Sequence, residues 1–166
     1  MIEMEIASLG IDPAQNMPVV ILKDVATGEM VLPIWIGVLE ATAIALKLES
    51  VEVARPLSHD LMMKILESFG ARIDRVVIND LHDNTYFARL VVVAPDREFE
   101  LDARPSDAMA IALRAGAKIF AHSKVLEKSG DDDERPVPAS IDPADREKWL
   151  EILENMDPED FGKYKI

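Results

Sequence analysis

Apolar positions alternate along some stretches of this chain and recur at helical spacing along others, and the switches between the two periods mark the expected elements. Ile2, Met4 and Ile6 alternate with Glu3 and Glu5, as in a strand with one wet face. Val19 to Leu22 and Met30 to Ile36 are short apolar runs joined across Asp24-Val25-Ala26-Thr27-Gly28, which reads as a β-hairpin with Gly28 supplying the permissive turn backbone. Pro33 lacks an N–H, so the second of these strands is expected at a sheet edge or a bend. From Val38 to Ser50 the spacing becomes helical, with Leu39, Ala43 and Leu46 down one side. A second helix is expected from Pro56 or Ser58, with Ser58 as N-cap, to Gly70; Leu61, Met62, Ile65, Leu66 and Phe69 form its apolar stripe. Ile73–Asn79, Thr85–Val93 and Arg97–Leu101 are strand candidates separated by His82-Asp83-Asn84 and Pro95-Asp96, and such short links predict an antiparallel meander. Pro105 suits the first position of a third helix ending at Gly116, and Ile119-Phe120-Ala121 is a short last strand.

Beyond this point the composition changes. Lys128-Ser129-Gly130-Asp131-Asp132-Asp133-Glu134 and the prolines at 136 and 138 read as a solvated linker. Trp149, Ile152, Leu153 and Met156 then recur at i, i+3, i+4, i+7, the stripe of an amphipathic helix that must be buried against the domain or another subunit. The expected organisation is a domain over residues 1–126, an acidic linker over 127–140 and a helical tail over 141–166. The order of elements points to an α+β fold: a mixed, largely antiparallel sheet with helices packed on it and a C-terminal amphipathic helix.

Charge narrows the function. Among 166 residues, 31 acidic and 18 basic side chains leave a formal charge of -13, and more than half of that excess lies after Leu126. This balance argues against a protein that coats DNA by displacing counterions, though not against an enzyme acting on nucleic acid through a metal. The absence of Cys excludes disulfides, thiolate metal sites and cysteine nucleophiles. No apolar run approaches the roughly 20 residues of a membrane helix, and the first residues lack the basic start of a signal peptide, so a cytoplasmic protein with no membrane partner is expected. P-loop, G-x-G-x-x-G, H-E-x-x-H and G-x-S-x-G motifs are all missing.

Two segments concentrate chemistry. Arg55-Pro56-Leu57-Ser58-His59-Asp60 and Asp102-Ala103-Arg104-Pro105-Ser106-Asp107 each place Arg-Pro, a hydroxyl and carboxylates at a helix start. Free N–H groups and the helix dipole favour anions there, Arg supplies bidentate phosphate donors, and His59 offers an imidazole suited to general acid or base work. Asp60, Asp102 and Asp107 offer the oxygen ligands that Mg²⁺ or Mn²⁺ prefer. Structural explanations compete: Asp60 and Asp107 complement helix dipoles, Ser58 and Ser106 are capping types, and Arg55 or Arg104 can pair with Asp102, Asp107 or Glu40. His82 and His122 read as surface residues, and Met62 and Met63 as core or near-core.

Gly37-Val38-Leu39-Glu40-Ala41-Thr42-Ala43-Ile44, Arg55 through Leu61 and Asp102 through Ala108, in this order, resemble the bifunctional nuclease domain family, long a domain of unknown function. The resemblance runs from Met1 to about Leu126. Ser58 stands where the family usually has Thr, which keeps the hydroxyl. The resemblance implies an α+β fold and nuclease activity on DNA and RNA, a label that comes mainly from plant relatives, and its motif positions fall on Glu40, Arg55, His59, Asp60, Asp102, Arg104, Ser106 and Asp107. The expected assignment is a metal-assisted phosphodiesterase. His59, Asp60 and Asp107 are catalytic, Arg55, Arg104 and Ser106 bind substrate, and Asp60, Asp102, Asp107 and Glu40 hold Mg²⁺ or Mn²⁺. The alternatives are a non-catalytic anion- or nucleotide-binding regulatory domain and an assembly protein, and self-association into a homo-oligomer, a dimer or larger, is expected under each.

Overall fold

Alternating and fully apolar stretches at the start of the chain form three antiparallel strands, β1 (Ile2–Asp12), β2 (Met17–Asp24) and β3 (Val31–Trp35). A computed structural model of the chain describes residues 1–13, 15–132 and Glu151. Strand β1 runs six residues past Ile6; a bulge between Ile6 and Ser8 breaks its alternation, which is why the sequence shows only its first half. The helices α1 (Val38–Leu48) and α2 (Ser58–Ser68) follow, then the meander β4 (Arg72–His82), β5 (Thr85–Val93) and β6 (Glu98–Ala103). Helix α3 (Pro105–Ala115), strand β7 (Lys118–Ala121) and helix α4 (Ser123–Asp132) complete the described elements. Gly116, with φ of 64°, turns the chain out of α3.

All seven strands form one sheet in the order β3-β2-β1-β7-β4-β5-β6. The fold is α+β, and Pro33 does lie on an edge strand. The shortest strand occupies the centre: β7 pairs antiparallel with β1 and parallel with β4, so four residues join the N-terminal hairpin layer to the meander. Helices α1, α2 and α3 pack together, with α3 against β4 and β5 and α1 against β2. The core between them and the sheet holds Leu22, Leu32, Ile44, Ile78 and Met109, with the small residues Ala41, Ala45, Ala108 and Ala112 where backbones approach closely.

Two expectations for α2 are corrected. Its N-cap is Leu57, and Ser58 is already the first helical residue; Asp60 reaches back to accept the Leu57 N–H at 2.9 Å. The apolar stripe lies largely on the outside, so Met62, expected in or near the core, is not there. No residue of α2 is fully buried; Leu61, Met62, Ile65 and Phe69 are exposed, and only Met63 and Leu66 pack against the core. Helix α4 carries regular structure through the first part of the stretch read as a linker, held by a 2.9 Å hydrogen bond between Tyr86 and Ser129 and by Lys128 Nζ donating to the Leu81 carbonyl at 2.8 Å. The rest of that linker and the tail with its apolar stripe lie outside the described residues, apart from Glu151. No helix among the described residues is long and apolar enough to cross a membrane.

Candidate functional site

The two Arg-Pro segments meet. Helix α3 sits between α1 and α2, and the starts of all three helices converge at one end of the helical layer. Asp107, in the first turn of α3, is the hub. His59 Nε2 donates to Asp107 Oδ1 at 3.1 Å, and Arg104 Nε donates to Asp107 Oδ2 at 2.7 Å. Arg104 Nη1 then donates to Glu40 Oε1 at 2.8 Å, so one guanidinium bridges the carboxylates of α1 and α3. Gly37 makes this possible locally: a Cβ there would occupy the space taken by the Glu40 carboxylate. The neighbouring cleft, about 260 Å³, is lined by Glu40, Arg104, Pro105 and Ser106 together with Trp35 and Tyr86.

The electrostatics follow from this wiring. Burial acts to raise the Asp107 carboxyl, but hydrogen bonds from Arg104 and His59 outweigh it and hold the group below the usual carboxylate value. Asp107 is therefore ionised and accepts only, so His59 Nε2 carries the proton; in the neutral ring Nδ1 is left as the basic nitrogen. His59 is largely shielded, with its side chain 12% exposed, whereas that of Arg104 is 65% exposed and keeps donors turned to solvent.

Asp60 belongs to a second, adjoining pair. Its Oδ1 accepts from Arg114 Nε at 2.6 Å, and Arg114, with its side chain 7% exposed, also donates to the carbonyls of Ala43 and Ala110. Burial again acts to raise the Asp60 carboxyl, and the Arg114 and Leu57 hydrogen bonds bring it below its ordinary value. Arg114 ties α1, α2 and α3 together behind His59. It was not among the expected site residues, yet it lies seven residues after Asp107, on the same face of α3, and is the only charged residue between Asp107 and Gly116.

The remaining expected residues are dispersed. Ser106 is buried in the first turn of α3 beside the cleft. Arg55 is exposed and has no ion pair among the described residues. Asp102 is exposed on β6, opposite Arg89 in the register. The carboxylate set expected to hold Mg²⁺ or Mn²⁺ is thus not assembled: Glu40 and Asp107 are joined through Arg104, Asp60 faces Arg114, and Asp102 stands apart. Among the described residues no three His, Asp or Glu side chains are grouped as a metal ion requires, so this arrangement does not fit a preformed divalent site.

A sequence profile described as the bifunctional nuclease domain matches residues 20–134, which include every residue of this cluster. The chain belongs to the bifunctional nuclease domain family. An uncharacterized protein of Mycobacterium tuberculosis is 38% identical over 163 residues, covering 96% of this chain and 97% of its own length. Bifunctional nuclease 1 of Oryza sativa subsp. indica is 24% identical over 123 residues, 72% of this chain, and bifunctional nuclease 2 of Oryza sativa subsp. japonica is 26% identical over 116 residues, 68% of this chain. The matched segment makes up 37% and 36% of those rice proteins. Within the family domain of this chain, the segments Arg55–Asp60 and Asp102–Asp107 converge on the His59–Asp107 contact.

Proposed function

We propose that this chain is a nuclease that hydrolyses phosphodiester bonds of DNA or RNA at the His59–Asp107–Arg104 cluster. The observation that carries this reading is the convergence of the two Arg-Pro segments on a single ionised carboxylate. That carboxylate orients an imidazole on one side and a phosphate-binding guanidinium on the other. The names of the rice relatives, bifunctional nucleases, support the substrate class.

In this reading Asp107 fixes the His59 tautomer and ring orientation, and Nδ1 takes the proton from an attacking water. Arg104, exposed beside it, donates to the non-bridging oxygens of the scissile phosphate and offsets charge that builds in the transition state. Glu40 and Asp107 hold that guanidinium in place before substrate arrives. Arg55, exposed just before α2, adds a cation where the acidic surface would otherwise repel the nucleic acid backbone. Because the carboxylates do not form a donor set, no step is assigned to a metal.

The test is cleavage of single- and double-stranded DNA and RNA by wild type, His59→Ala and Asp107→Asn, each purified identically, in EDTA and with Mg²⁺ or Mn²⁺. Loss of a general base predicts a drop of about 10²–10⁴-fold for His59→Ala. Asp107→Asn, which keeps the shape but not the charge, is expected to lose a similar share. Cleavage that survives both substitutions would remove the cluster from the reaction. Activity that disappears in EDTA and returns with metal would show that the carboxylates rearrange to bind an ion.

A further inference from the structure

Helix α2 has two apolar faces, and the fold covers only one of them. At about 100° per residue, His59, Met63 and Leu66 point inward along one arc, while Leu61, Met62, Ile65 and Phe69 fall within a neighbouring arc of about 100°. The inward arc packs on the core. The outward arc is 53%, 46%, 48% and 77% exposed at those four residues. A helix apolar around more than half its circumference is built to be covered on both sides, and an exposed apolar stripe of this kind marks an interaction surface.

The chain carries a matching stripe. Trp149, Ile152, Leu153 and Met156 recur at helical spacing in the sequence, outside the described residues. Glu151, which falls between them, is helical and exposed, as expected for the opposite face of such a helix. The two stripes have similar lengths, about 10–12 Å at 1.5 Å per residue. Residues 133–140, between α4 and the expected helical tail, span on the order of 25 Å when extended, enough chain for the tail to turn back on the domain. We propose that the outer face of α2 is the docking surface for the chain's own C-terminal segment, residues 141–166, seated through Trp149, Ile152, Leu153 and Met156.

The absence of Cys from the sequence makes a direct test available. In the full chain, Ile65→Cys with Ile152→Cys is expected to form an intrachain disulfide under mild oxidation, in several-fold higher yield than exposed Glu29→Cys with Ile152→Cys. Equal yields from the two pairs, or none from the first, would overturn the proposal. A 65–152 bond found only between chains would also overturn it, in favour of docking by a second copy. Hydrogen exchange gives an independent reading: amides of residues 149–156 are expected to lose protection in Ile65→Asp, and unchanged protection would refute the docking.

Discussion

Asp24 accepts hydrogen bonds from the Ala26, Thr27 and Met30 amides and from the Thr27 hydroxyl, and so fixes the turn between β2 and β3 while buried at 2% exposure. It shows how this protein uses carboxylates: the buried Asp24 accepts from its own turn and the buried Asp12 from the Trp35 indole on a nearby strand at 2.8 Å. Arg114 and Asp60 follow the same rule across three helices. Arg114→Met is expected to cost about 1–3 kcal/mol, because it leaves the partly shielded Asp60 carboxylate without its charged donor. Chemical denaturation would measure this, and Asp60→Leu added to Arg114→Met should recover part of the loss; an unstable double mutant that recovers nothing would show that the pair is not coupled. At this scale His59, Asp107, Arg104 and Glu40 were legible from residue type and position at helix starts. Arg114 was not, because a basic residue in the last turn of a helix has an ordinary explanation in the helix dipole.

Among the elements, β7 has the most leverage for its length. Ala121, fully buried, faces the core on a strand bonded on both edges, to β1 and to β4. Ala121→Leu is expected to destabilise the protein by about 1–3 kcal/mol through overpacking, with no room for relief because both neighbouring strands are fixed. A melting temperature equal to wild type would contradict the central placement. Strand existence was readable from the sequence through alternation and turn residues, and the antiparallel meander followed from short links. The order of strands was not, since nothing local says that β7 inserts between β1 and β4. Helix α2 illustrates the opposite limit: its apolar periodicity was read correctly as a stripe, but periodicity reports that a face is apolar and not which neighbour covers it.

For the molecule as a whole, carboxylates held below their ordinary value are spread over the fold: Asp24 at a turn, Asp60 and Asp107 at the helix starts, and Asp80, brought to about 2 by Lys124, the Leu81 amide and Lys128. Such groups bind protons less readily folded than unfolded. Their contribution is therefore complete above the unfolded carboxylate value of about 4 and is lost as pH falls from there toward about 2. The melting temperature is expected to be nearly constant from about pH 7 to 5 and to fall steeply below about pH 4; a flat profile to pH 2.5 would mean that these pairs contribute nothing to stability. The sequence by itself determined the class of fold, the segments that carry chemistry, the restriction of Pro33 to an edge or a bend and the acidic, cysteine-free character, because each depends on local period, backbone restriction or composition. Only the tertiary structure decided that the two Arg-Pro segments share one carboxylate, that Arg104 and Arg114 take the oxygens a metal would need, and that α2 presents an apolar face outward. Those outcomes depend on which helices lie side by side, and adjacency between residues as far apart as His59 and Asp107 is set by packing the whole core, not by any stretch of chain.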